Sequence, residues 1–231
     1  MKYENIVKAR FLSRPNRFIA NCEVDGKTVI AHVRNTGRCR ELLIPGTDAV
    51  LEISANKKRR TGYSLIAVRK GKLLINIDSL APNKVMREAL ETGKIELPGF
   101  EPVTLVRPET RYGDSRFDFY LESGNKKAFL EVKGVTLEEN GTALFPDAPT
   151  ERGVKHIEGL IRAASEGYEA YIVFIVQMKG VTLFSPNTRM HPRFSEALKS
   201  AGDRGVHIRC YDCRVTENSM EFGSPVPVAL A

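Results

Sequence analysis

Along the first third of the chain, apolar residues alternate with polar ones or cluster in short runs rich in β-formers. Residues 6–12, 17–24 and 28–33 read as strands, and Asp25-Gly26 between the last two is a hairpin signal. Residues 49–53, 64–68 and 73–77 continue the series, broken by Lys57-Lys58-Arg59-Arg60 and by Lys70-Gly71-Lys72. Roughly five or six short strands without a helical period predict a small barrel, and the strand number suits an OB-like one. Such barrels often bind single strands or oligosaccharides. The segment 35–43 lies between strands and has room for one helical turn.

The pattern changes after Asp78. Pro82 can start a helix whose apolar face is Val85, Met86, Ala89 and Leu90, stopped by Gly93. Pro98 and Gly99 then break the chain. Residues 103–107, 116–121 and 128–132 read as strands, the last two joined by Ser123-Gly124-Asn125. Thr150 can cap a second helix with a buried stripe of Val154, Ile157, Leu160, Ile161 and Ala164, and Gly167 ends it. Residues 171–176 have the character of a central strand covered on both faces. Helix, three strands, helix and strand in that order make this half α/β. The predicted organisation is therefore an all-β N-terminal part over residues 1–80 and an α/β domain over residues 81–231.

Composition narrows the class without changing that picture. With 231 residues, 42% hydrophobic and 27% charged, the chain can bury its own core, and wholesale disorder, collagen and coiled coil are excluded. The longest apolar stretch, residues 170–176, falls far short of the ~20 residues a membrane span needs. No apolar signal core follows the start, and four cysteines make no disulfide framework, so a cytoplasmic protein without a membrane partner is expected.

Charge is more informative. The net is +7, but residues 1–80 carry 16 Lys and Arg against 7 Asp and Glu, leaving 19 against 21 in the remainder. That asymmetry suits a polyanion-facing module joined to a near-neutral one, although a solvated basic surface would give the same count. In the first half Arg34, Arg38 and Arg40, with Lys57, Lys58, Arg59 and Arg60, are candidates to track a nucleic-acid backbone. Aromatics for base stacking are sparse there: Phe11, Phe18 and Tyr63, with no Trp in the chain. Backbone contact without sequence reading is the natural expectation. His32 reads as a packing residue.

The densest chemistry lies in the second half. Asp118 falls in one predicted strand, and Glu131 and Lys133 lie near the end of the next. Residues two apart leave a strand on the same face, and a hairpin can bring Asp118 alongside. Two carboxylates and an ammonium there make a site for a hard divalent cation such as Mg²⁺ or Mn²⁺, which keeps waters and binds phosphate. A solvated ion-pair cluster is the alternative, but the flanking Phe117, Phe119, Phe129, Leu130 and Val132 argue for burial, where charges need partners. Further along, Asp147 and two prolines lead into the helix begun at Thr150, with Arg152, Lys155 and His156 at i, i+3 and i+4 to face a phosphate. Arg152 could instead pair with Glu151 or Asp147, and His156 could pack beside the apolar stripe. Gln177 closes the central strand and His191 starts a loop or helix. Cys210 and Cys213 have C-x₂-C spacing without a second pair, and read as strand-end residues rather than zinc ligands.

Five ordered blocks carry a family resemblance. They are Ala31-His32-Val33-Arg34-Asn35-Thr36-Gly37-Arg38, Glu41-Leu42-Leu43-Ile44-Pro45-Gly46, Arg116-Phe117-Asp118-Phe119, Glu131-Val132-Lys133-Gly134-Val135, and the block of residues 145–156. Together they resemble the sugar fermentation stimulation protein A family over nearly the whole chain, and Asp118 with Glu131-Val132-Lys133 resembles the PD-(D/E)XK nuclease signature. A Cys39 where that family often has methionine is a small departure. The resemblance implies an OB-like barrel followed by a nuclease-like αβββαβ domain and binding to nucleic acid, DNA in preference to RNA. It also implies a link to sugar (maltose) metabolism. Carried over by motif, Asp118, Glu131 and the Val132 carbonyl would hold Mg²⁺ (or Mn²⁺), Lys133 would be the catalytic lysine, and Glu88 on the first helix would supply a further acid. Three functions stay open: a metal-dependent nuclease, a non-catalytic DNA-binding regulator, and a carbohydrate or nucleotide module. Oligomeric state is also open, a homodimer included.

Overall fold

In a computed structural model, which describes residues 1–35, 37–56 and 58–230, the chain opens with six strands. These are β1 (Ile6–Asn16), β2 (Ile19–Val24), β3 (Lys27–Val33), β4 (Asp48–Ile53), β5 (Tyr63–Lys70) and β6 (Leu73–Asn76). They run in the order β3-β2-β1-β4-β5-β6, and a parallel pairing of β3 with β5 closes the first five into a barrel. Closure removes the sheet edges, which otherwise invite pairing with other chains. The predicted Asp25-Gly26 turn joins β2 to β3 with both residues at positive φ (49° and 73°), the geometry that matches strand twist in a tight hairpin. Phe11, Leu51 and Leu65 fill the barrel against Ala20, Cys22 and Ala31. The helical turn expected between β3 and β4 is present as a bond from the Leu43 N–H to the Cys39 carbonyl.

The second half comprises α1 (Ala81–Glu91), β7 (Leu105–Tyr112), β8 (Ser115–Ser123), β9 (Lys126–Val135), β10 (Leu137–Glu139), β11 (Thr142–Phe145), α2 (Glu151–Ser165), β12 (Glu169–Val176), β13 (Leu183–Pro186), α3 (Pro192–Asp203), β14 (Val206–Val215) and β15 (Met220–Pro225). One mixed sheet runs β15-β14-β12-β9-β8-β7, with β9, β12 and β14 parallel, and a small sheet runs β10-β11-β13. The order helix, three strands, helix, strand is there, interrupted by the β10–β11 hairpin, which the sequence reading lacked. Also absent from that reading were β13, α3 and the full length of β14 and β15. Thr150 caps α2 by accepting from the Gly153 N–H, as its position predicted.

The sheet is covered on both faces, which is why β12 is buried along almost its whole length. One face packs Val85, Met86 and Ala89 of α1 against Leu130, Val132 and Tyr171. The other packs Val154, Ile157 and Leu160 of α2, with Phe194 and Leu198 of α3, and this core runs on into Phe11 and Leu51 of the barrel. The two halves therefore share one continuous apolar interior.

Candidate active site and nucleic-acid interface

The site forms where the β8–β9 ladder ends. Paired residues run from Ser123–Lys126 up to Phe119–Leu130 and stop there. Beyond that point the Asp118 carboxylate replaces the missing strand partner: its Oδ2 accepts the Val132 N–H at 2.8 Å, and its Oδ1 accepts from the Asn83 amide of α1 at 2.7 Å. In an antiparallel ladder a residue's N–H and C=O point to the same neighbour, so the Val132 carbonyl faces the same gap. Leu130 and Val132 point into the α1 core, so the alternation of β9 sends Glu131 and Lys133 to the opposite face, towards α2. There the Lys133 ammonium donates to Glu131 Oε1 at 2.5 Å, and His156 Nδ1 of α2 meets the same oxygen. Glu131 Oε2 is buried with no hydrogen-bond partner.

The electrostatics follow from that crowding. Burial, and then the neighbouring Glu131, push the Asp118 carboxyl up to about 6. Burial would raise Glu131 as well, but Lys133 and His156 outweigh it and hold that carboxyl below its usual range. One acid is thus kept ionised by two donors while the other is poised near neutrality. An orphaned, buried carboxylate oxygen close to a second carboxylate fits a divalent cation, which would give that oxygen the partner it lacks. Among the described residues no group of three or more His, Cys, Asp or Glu side chains is arranged to hold a metal. That matters less for Mg²⁺, which is commonly held by one or two carboxylates with waters and phosphate completing its shell.

Other expected residues land elsewhere. Glu88 does not reach the acids: α1 buries Val85, Met86, Ala89 and Leu90, so Glu88 lies on the outer face, where it pairs with the Met1 amine at 2.7 Å. The polar residue that α1 contributes is Asn83. The helix flank proposed for phosphate also splits. Adjacent positions on a helix are ~100° apart, so His156 turns into the acid cluster, with Arg152 Nε donating to its other ring nitrogen at 3.4 Å, while Lys155 pairs outward with Asp114 at 3.0 Å. The inward turn of His156 was detectable, because it lies four residues before Leu160 on the apolar stripe. Asn83 carried no such signal.

In the first half, Arg34 is spent within the fold: it pairs with Asp78 at 3.0 Å and Glu52 at 2.8 Å. Arg38 and Arg40 are exposed and make no ion pair among the described residues, as are Lys58 and Arg60, while Arg59 donates to Ser64 and Thr61. Lys57, like Thr36 of the first family block, lies outside the described residues. Phe11 is sealed in the barrel and cannot stack on a base, whereas Phe18 is 52% exposed. Two arginines escaped the sequence reading. Arg14 donates to the carbonyls of Arg17, Asn35, Gly37 and Arg38, fixing the loop after β3. Arg17, with Asn35, Gly37 and Arg38, lines one wall of a cleft of about 680 Å³ whose other wall includes Gly134 and Thr150.

That cleft separates the barrel from the strand end that bears Lys133, and buried polar contacts hold its walls together. The Gln177 amide donates to the Asn76 carbonyl and side chain (3.0 Å each) and to the Asp78 carbonyl (3.1 Å), and Asn76 N–H donates back to the Gln177 carbonyl. Gln177 thus fastens the two halves rather than joining the acids. Lys70 adds an ion pair to Glu138 at 2.7 Å. Gly37 and Gly134 are needed for close approach: a Cβ at Gly134 would sit 2.6 Å from Gln177 Oε1 and 2.7 Å from Pro82, and one at Gly37 would strike Asp147. Cys210 and Cys213 lie inside β14, not at its end, and face opposite cores, so they cannot share a metal. No helix among the described residues is long and apolar enough to cross a membrane.

Comparison with known proteins matches both halves. A family model described as the SfsA N-terminal OB domain covers residues 12–77, and one described as the sugar fermentation stimulation protein RE domain covers residues 80–219. A sugar fermentation stimulation protein homolog of Desulfitobacterium hafniense is 56% identical over 230 residues, covering 100% of this chain and 99% of the relative. One from Ruminiclostridium cellulolyticum is 54% identical, covering 100% of both chains. Among solved structures, that of Pyrococcus furiosus SfsA in complex with Ca²⁺ superposes with a TM-score of 0.89 at 30% identity, covering 99% of this chain and 98% of that one.

Proposed function

The chain belongs to the sugar fermentation stimulation protein family, and from that premise we propose that it binds DNA without reading sequence and hydrolyses its phosphodiester bonds with the help of Mg²⁺ or Mn²⁺. The observation that carries this reading is the unpartnered, buried Oε2 of Glu131 beside Asp118, with the Lys133 ammonium two residues on. An unpaired buried acceptor costs ~1–3 kcal/mol, a cost that a bound cation would remove. The similar Pyrococcus protein, described in complex with Ca²⁺, supports a cation-binding role.

Asp118, Glu131 and the Val132 carbonyl would hold the ion. When bound, it supplies positive charge to the phosphate and acidifies water as a nucleophile. The remaining work falls to this chain's own groups. His156 grips Glu131 Oε1 and so fixes the orientation of that carboxylate. Lys133, two residues on from Glu131 and paired with it, would donate to a phosphate oxygen as negative charge builds there. Arg17 and Arg38 on the facing wall, with Arg40 beside them, contact backbone phosphates, which position a strand without carrying sequence information.

The pairing of Lys133 and His156 with one Glu131 oxygen also favours a second reading, a DNA-binding regulator of sugar metabolism whose acid cluster is chemically idle. Incubating the purified protein with single- and double-stranded DNA, in Mn²⁺ or Mg²⁺ and in chelator, separates the two. Metal-dependent cleavage abolished by Asp118→Asn is the expected result, with Mn²⁺ density beside Asp118 and Glu131 in soaked crystals. Intact DNA under every condition, with affinity indifferent to metal and to Asp118→Asn, overturns hydrolysis and leaves the regulator.

A further inference from the structure

The cleft between the barrel and the second domain is too small for a duplex. At about 680 Å³ it falls in the range of sites that take small ligands, room for one or two nucleotides. A duplex, whose major groove alone is about 12 Å wide, would have to stay outside. The unpaired arginines nevertheless continue past the cleft. Arg17, Gly37 and Arg38 also border a second hollow of about 350 Å³ on the barrel surface, which Arg40 completes. The two hollows share one basic wall, so they form a continuous track for a flexible, negatively charged chain.

Two large apolar side chains are chain neighbours of residues that line the cleft. Phe18 follows Arg17 and Leu80 follows Ser79, and both Arg17 and Ser79 line the cleft. The local backbone ties the two segments to adjacent positions at the end of β3: Phe18 C=O accepts from the Val33 N–H, and Arg34 C=O accepts from the Ser79 N–H. Phe18 is 52% and Leu80 56% exposed, among the most exposed large apolar residues described. Asn16 Oδ1 accepts from the N–H groups of Phe18 and Ile19, which fixes the backbone beneath the ring. An exposed aromatic ring on a rigid turn, beside unpaired arginines, is the combination that binds unpaired bases.

We infer that the substrate of this site is single-stranded DNA, its bases resting on Phe18 with Leu80 completing the apolar lip, and its backbone following Arg17, Arg38 and Arg40 towards Lys133. The inference rests on the DNA reading above and adds strandedness to it. A duplex enters only where its ends fray or its strands are already splayed.

The test is fluorescence anisotropy in chelator, so that no cleavage intervenes, with a labelled thymidine oligomer and a blunt duplex of equal length. The parent protein binds the single strand at least ~10-fold tighter than the duplex. Since stacking is worth ~1–3 kcal/mol per base, Phe18→Ala weakens the single strand ~5- to 150-fold. It leaves the duplex within about twofold, and Phe18→Tyr restores binding, which a merely structural role would not predict. The exposed position keeps the melting temperature unchanged. A parent protein that prefers the duplex, or a Phe18→Ala variant that loses nothing or loses equally on both DNAs, overturns the single-strand inference and leaves DNA binding intact. Binding to neither DNA overturns both.

Discussion

Replacing Asp118 by asparagine isolates the cost of holding a charge in the acid cluster. The parent carboxyl is pushed from 3.8 to about 6, first by burial and then by Glu131. An acid whose pKa is raised on folding contributes stability that is complete below its unfolded pKa and is lost as pH rises through the folded one. For Asp118 that window runs from 3.8 to about 6. The ionised form therefore costs about 3 kcal/mol at about pH 8 and only about 0.5 kcal/mol at about pH 4. Asparagine preserves the shape. Its oxygen accepts the Val132 N–H, and its amide donates to Asn83 once the Asn83 amide rotates, so the contacts at 2.8 and 2.7 Å persist. Urea unfolding of parent and variant in chelator, across that pH range, reads the difference and cancels the titration of groups that do not couple to Asp118. Asp118→Asn is expected to be the more stable protein near neutrality and above, by about 3 kcal/mol, with the gain shrinking to about 0.5 kcal/mol in acid. Adding Mg²⁺ at about pH 8 stabilises the parent and not the variant, by about 2.7 kcal/mol at a hundredfold excess over Kd. A gain that does not vary with pH, or a variant less stable than its parent at high pH, refutes the reasoning that burial rather than hydrogen bonding sets this carboxyl.

Four further outcomes follow from the geometry. Arg34→Ala strands the fully buried Asp78 and loses ~3–5 kcal/mol in urea unfolding. Arg38→Ala leaves stability unchanged but weakens DNA binding uniformly, and lowers the slope of log affinity for a single strand against log salt by ~0.7. Equal stability losses in the two variants would contradict the division of these arginines into internal and free. Gln177→Ala leaves the Asn76 and Asp78 carbonyls unpaired at the junction, costing ~1–3 kcal/mol. Calorimetry should then resolve the single transition into two, and an unchanged single peak would count against Gln177 as the fastener. Gly134→Ala drives a Cβ against Gln177 and Pro82, costing ~1–3 kcal/mol. It also weakens Mn²⁺ binding by displacing Lys133 and its strand, and a titration showing parent-like Mn²⁺ affinity would refute that coupling.

Much of the fold was legible because its signals are local. The Asp25-Gly26 turn, the Thr150 cap and the apolar run of β12 each depend on a few neighbouring residues, and each stands where the sequence predicts it. The stretch beyond residue 177 was opaque for a physical reason. α3 buries a narrow stripe of Phe194, Leu198 and Ala201, and β15 is largely exposed, so neither imposes a period strong enough to read. Charge was the weakest guide. Arg34, Arg38 and Arg40 look alike in sequence, but only the first meets an acid in space, because Asp78 and Glu52 arrive from other strands and loops.

The candidate site divides along the same line. Glu131 and Lys133 could be placed on one face from their spacing alone, since period two is a local property of a strand. Asp118 could not, because what positions it is where β8 and β9 stop pairing, and its carboxylate then acts as a strand partner to Val132. The same break brings Asn83 from α1 across the gap to the Asp118 carboxylate. Glu88 stays out of the cluster because its exposed carboxylate is held by the Met1 amine, a contact between residues far apart in the chain that no local pattern announces. The chemistry therefore depends on an interruption in regular pairing. The Gly134 contacts with Gln177 and Pro82 bind that interruption to the domain junction, so the acid cluster and the nucleic-acid track should fail together when the junction loosens.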